Sequence, residues 1–179
     1  MNPTCGGTLD GTWQIDGTCI EGNVASLMAA QQNLPSACGG LFKTAMASLE
    51  GTVTFANGME TDNLTLNIDA TVVYTPTCVS AINGTTIVLT AAICTTFQSA
   101  LVSNQTFSSA TCSFTGGNCA CSVSSQSQSP TTPEAYTISG NQVVYSNGNS
   151  PMDYCVTGTT LSVRQVEGSV TLFNTAHKL

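Results

Sequence analysis

Positive charge is almost absent. Lys43, Arg164 and Lys178 are the only lysines and arginines in 179 residues, against ten Asp and Glu, for a net charge of −7. With so little to neutralise phosphates, nucleic acid and anionic membrane surfaces are excluded as partners. Histidine is as scarce: His177 stands alone, which rules out histidine-based catalytic triads. No apolar run reaches the ~18 residues that a membrane-crossing helix needs. Neither a GxSxG nucleophile elbow nor a phosphate-binding glycine loop occurs. Charged residues make up only 7% of the chain and apolar residues 41%, so Ser, Thr, Asn and Gln must wet the surface.

Cysteine, by contrast, is plentiful. Cys5, Cys19, Cys38, Cys78, Cys94, Cys112, Cys119, Cys121 and Cys155 span the whole length. Thiolate metal sites show paired CxxC units or neighbouring histidines. The chain has neither, so we expect disulfides, no metal and no cofactor. An odd count leaves one thiol over. Such a framework belongs to an oxidising compartment, and the expected location is secreted, periplasmic or at the cell surface. Met1-Asn-Pro-Thr4 has no apolar signal core, so the export signal is expected to have been left off. Residues 176–179 read as a tail, with Lys178-Leu179 a cloning remnant. The length suits one domain, here residues 1–175.

The clearest pattern lies in Gly11–Ile20. Gly11, Trp13, Ile15, Gly17 and Cys19 alternate with Thr12, Gln14, Asp16 and Thr18, which predicts a strand with one buried and one wet face. Residues 23–34 and 41–48 read as short helices from their Ala and Leu content. Alternation returns in Leu49–Phe55. After Asn57-Gly58 it continues through Leu64, Leu66, Ile68, Ala70 and Val72. A second excursion covers 76–106, where Leu89, Ile93, Phe97 and Leu101 form one helical stripe.

Hairpins follow. A turn at Gly116-Gly117 sets Cys112 opposite Cys121 at a closely spaced position, which predicts a Cys112–Cys121 bridge. Ser122–Thr132 reads as a polar loop. Two glycine-led turns then pair Tyr136 with Tyr145, Ile138 with Val143, Tyr154 with Val163 and Val156 with Leu161. A last strand, Ser169–Phe173, can return to the first. Such a meander of nine or ten antiparallel strands predicts an all-β, up-and-down barrel with two short helical insertions.

Gly11-Thr-Trp13 at the head of the first strand, the meander behind it and the late Arg164 resemble the lipocalins and lipocalin-like barrels. Cys5-Gly-Gly7 and Cys155-Val-Thr-Gly-Thr-Thr-Leu161 are similar to patterns in the cysteine-rich secreted lipocalin-like proteins of myxobacteria. The resemblance implies a barrel closed at one end by an arginine, here Arg164, across Trp13, with Gly11 structural.

Asp16, Glu50 and Asp69 fall on outward faces, and Glu134, Asp153 and Glu167 read as loop residues, so no catalytic residue is assigned. Tyr136 and Tyr145 face inward and combine apolar rings with hydroxyls. With Trp13, Phe55, Leu66 and Ile68 they are the candidate lining of a ligand site. The expected function is binding of a small apolar or amphipathic molecule inside the barrel. Two readings stand beside it: a solid-cored module contacting protein or glycan, and an isomerase- or cyclase-type enzyme on the same frame. A void above roughly 300 Å³ favours the binder, and a carboxylate or tyrosine pair inside it favours the enzyme. Asn63, Asn83 and Asn104 match glycosylation acceptors, without meaning in a bacterial protein.

Overall fold

Asn57 and Gly58 take positive φ, 55° and 72°, the geometry whose twist matches two flanking strands. Strand β2 (Phe42–Ala56) therefore turns directly into β3 (Met59–Tyr74). The computed structural model describes residues 5–31, 34–103, 107–129 and 132–179; Met1–Thr4, the last residues of the expected first helix and Asn104 lie outside them. The chain divides into two compact units, one of Met1–Gly22, Ser48–Leu66 and Ser127–Leu179, the other of Asn23–Ala47 and Asn67–Gln126.

The first unit holds a ring of eight antiparallel strands. Its members are β1 (Gly11–Glu21), β2, β3, β6 (Glu134–Ser139), β7 (Gln142–Tyr145), β8 (Met152–Thr157), β9 (Thr160–Glu167) and β10 (Val170–Lys178). Each pairs with the next in that order, and β10 pairs back onto β1. The inward side chains form a core of Trp13, Phe55, Val143, Tyr154 and Leu161, all at most 4% exposed. Tyr136 stands opposite Tyr145, Ile138 opposite Val143, Tyr154 opposite Val163 and Val156 opposite Leu161, so both hairpins have the register expected of their turns.

Two expectations fail in this unit. The last strand runs on to Lys178, and Ala176, His177 and Lys178 pair with Ile15, Gln14 and Trp13; residues 176–178 are sheet, not a tail. On β1 the register slips at Asp16, where Ile15 faces Ala176 but Gly17 faces Thr175. One extra residue reverses the faces of everything after it. Trp13 is buried and Ile15 half-buried, but Cys19 points out to solvent.

The second unit contains α1 (Val24–Gln31), a 3-10 turn at Ser36–Cys38, α2 (Pro76–Asn83), α3 (Ala91–Ser103), and β4 (Ser109–Thr115) with β5 (Asn118–Gln128). Thr75 caps α2 by accepting from Cys78 N at 3.1 Å, Pro76 opens the first turn, and Gly84 ends it at φ 70°. Leu89 is buried just ahead of α3, with Ile93 and Phe97 packed beside it. The stretch 41–48, expected as a helix, joins β2 from Phe42 onward. Half-buried Ala45, Ala47 and Leu49 alternate there with exposed Met46, Ser48 and Glu50, and pairing outweighs the helix preference of Ala and Met. Nor is 122–132 a loop from its start. Strand β5 extends to Gln128, with Val123 buried, Ser124 donating to Asp69 at 2.6 Å and Gln126 to Asn67 at 3.0 Å.

Four disulfides join Cys5–Cys155 in the first unit and Cys38–Cys78, Cys94–Cys119 and Cys112–Cys121 in the second. The Cys112–Cys121 bridge sits on the predicted cross-strand pair. Cys19 is the free thiol. Four bridges fit an oxidising compartment, and no helix of the described residues is long and apolar enough to cross a membrane.

Candidate functional site

Trp13 is fixed from two sides. Its indole N–H donates to Leu9 O at 2.7 Å, and the Lys178 ammonium lies 5.4 Å from the ring centroid while donating to Asp10 O at 2.7 Å. The cation against the tryptophan is thus Lys178, a favourable placement over a ring face. Arg164, to which the resemblance gave that position, is turned away by its place on β9, between inward Val163 and its partner Asp153 across the β8–β9 pair. It donates to the Asp153 carboxylate at 3.1 Å. Gly11 holds φ 129°, and a β-carbon there would meet the Lys178 side chain at 2.6 Å; its absence lets Lys178 cross.

Beside Trp13 the ring of the first unit lines a partly open cavity of about 230 Å³. Trp13, Ile15, Phe55, Leu64, Met152 and Val163 are among its apolar walls. Glu60, Asp62, Glu134, Tyr145, Gln165 and Asn174 are among its polar lining. Asn174 is only 8% exposed and accepts from the Thr18 hydroxyl at 2.9 Å. The Tyr145 hydroxyl donates to Glu60 at 2.5 Å, and Glu134 accepts from the Asn149 amide at 3.1 Å. Asp62 Oδ1 is buried without a partner among the described residues.

These neighbours displace the proton affinities. Burial raises Glu60 from 4.5 to about 8; the Tyr145 hydroxyl works against the rise, and the Asp62 and Glu134 charges add to it. Burial also raises Asp62, with Glu60 opposing and Glu134 assisting. Tyr145 is pushed well above the usual phenol range by burial and by the Glu60 charge. Burial thus favours the protonated form of Glu60, and a positive charge placed beside it would favour the ionised form, its proton passing to water.

Of the expected lining, Trp13, Phe55 and Tyr145 border the cavity. Tyr136 stands edge-on to Phe55, 5.4 Å between centroids and 88° between planes, outside the lining. Leu66 follows Leu64 along β3 without reaching the cavity, and Ile68 belongs to the second unit. Glu134, expected in a loop, starts β6 directly opposite Glu60. Glu60 and Asp62 were missed altogether, although a signal existed: the even-numbered inward phase of Leu64 and Leu66, carried back along β3, places both on the same face. His177 sits on the surface, 2.6 Å from Asp16. No protein-family model matches this chain, and no curated protein matches it either.

Proposed function

We propose that the chain is an exported, lipocalin-like binding protein whose barrel holds one small amphipathic molecule. The observation that carries this reading is the cavity itself: a recess beside the core tryptophan, mostly apolar in its walls, with a few polar groups among them. At about 230 Å³ it falls short of the roughly 300 Å³ that suits drug-sized ligands, so the ligand is small. The disulfide framework supports export.

The small volume is also what favours the solid-module alternative, and Glu60 with Tyr145 inside the cavity favours the enzyme alternative. Native mass spectrometry of protein purified from an exporting host separates them. A retained small molecule, released on denaturation, is the expected result. Bare protein, together with tryptophan emission unmoved by a panel of small amphiphiles, would count for the solid module. Turnover of a bound molecule, abolished in Glu60→Gln, would shift the reading to the enzyme.

A further inference from the structure

The cavity has an unusual charge balance. Glu60 and Asp62 stand two residues apart on one face of β3, and Glu134 pairs with Glu60 from β6, so three neighbouring carboxyl groups line a mostly apolar cavity. No Lys, Arg or His is among the residues lining it. Arg164 is bound to Asp153, Lys178 to the Asp10 carbonyl and His177 to Asp16, while Lys43 belongs to the second unit. The Asp62 carboxyl is hydrogen-bonded to Glu60, but its Oδ1 is buried with no donor among the described residues. Buried carboxylates without a counter-charge are costly. Proton uptake relieves that cost, and so would a bound cation.

We propose that the ligand is a small organic cation, an ammonium group on a compact apolar body, its head among Glu60, Asp62 and Glu134 and its body against Trp13, Ile15 and Phe55. This rests on the binding reading above and narrows it. An ammonium offers several N–H donors and no acceptor, which suits a cluster of carboxylates containing an unpartnered oxygen. The apolar walls have no use for a bare metal ion, whereas an aromatic or aliphatic body buries surface on them. Glu60 faces Tyr145 from β7, Asp62 from its own strand and Glu134 from β6. The cation must displace the Glu60 proton, so binding tightens as pH rises toward 8.5.

Benzylamine and benzyl alcohol have the same shape and eight non-hydrogen atoms each; they differ in the ammonium. Calorimetric titration of the intact oxidised protein at pH 8.5 should show benzylamine bound about tenfold or more tightly than the alcohol, the difference expected of a charge-assisted contact. That ratio should shrink about fivefold or more at pH 6, where few of the Glu60 carboxyls are ionised, and likewise in Glu60→Gln at pH 8.5. Equal or weaker binding of the amine, or a ratio indifferent to pH in the wild-type protein, would overturn the cation assignment and leave the binding reading standing. Binding of neither compound would overturn both. Calcium chloride displacing benzylamine at equal concentration would also overturn it, because the apolar walls would then contribute nothing.

Discussion

Glu60 shows how a single side chain can tie the cavity to the stability of the fold. Its folded-state affinity for protons, about 8 against an ordinary 4.5, is raised. The folded chain therefore holds a proton that the unfolded chain releases between those values. The associated stability is complete below about pH 4.5 and is lost as pH rises through about 8. Urea unfolding should accordingly lose on the order of 2 kcal/mol or more across that window, with Glu60→Gln giving a flatter profile and the more stable protein at pH 9. Parallel profiles for the two proteins would refute this. That Glu60 was missed has a plain cause: an acidic residue on a strand is assigned outward by default, a habit that outweighed the phase Glu60 and Asp62 share with Leu64 and Leu66. Trp13, Phe55 and Tyr145 were legible because an apolar ring in an alternating strand has one sensible direction.

At the scale of elements, period and turn chemistry predict well where each residue keeps its phase. The hairpins at Gly116-Gly117 and the two later glycine turns have the pairings their loops dictate, and the Cys112–Cys121 bridge follows from one of them. The reading failed where phase is broken or propensity misleads. The bulge at Asp16 has no marker in its own residue type, and it moves Cys19 from the inner to the outer face. The Ala-, Met- and Leu-containing stretch at 41–48 suits a helix and is held as strand by its partners. Cys19 should in consequence react with iodoacetamide in the folded, non-reduced protein, giving one modified cysteine per chain by intact mass. A thiol that reacts only in denaturant would place Cys19 inside and remove the bulge. Gly51, at φ 119° with the Asn63 carbonyl 2.1 Å from where a β-carbon would stand, is a second fixed point on β2. Gly51→Ala should cost about 2 kcal/mol or more in urea unfolding, and an unchanged midpoint would show that β2 passes farther from β3.

For the whole molecule, the four bridges should matter more than any surface contact. The ion pair at Arg164 and Asp153 is partly exposed, and such pairs contribute little. Native disulfides typically contribute about 2–5 kcal/mol each, so reduction confirmed by thiol titration should lower the melting temperature sharply. A melting curve indifferent to reduction would show the bridges to be ornamental.

The bridges also differ widely in reach. Cys112 and Cys121 are 9 residues apart, Cys94 and Cys119 are 25, Cys38 and Cys78 are 40, and Cys5 and Cys155 are 150. Because loop closure grows costlier with length, oxidation during synthesis has a natural order. The shortest link can lock as soon as its hairpin emerges, while Cys5 must wait, still reactive, for nearly the whole chain to appear. Until then Cys19 is its nearest rival in sequence; in the finished fold Cys19 lies on the outer face of β1 and keeps its thiol.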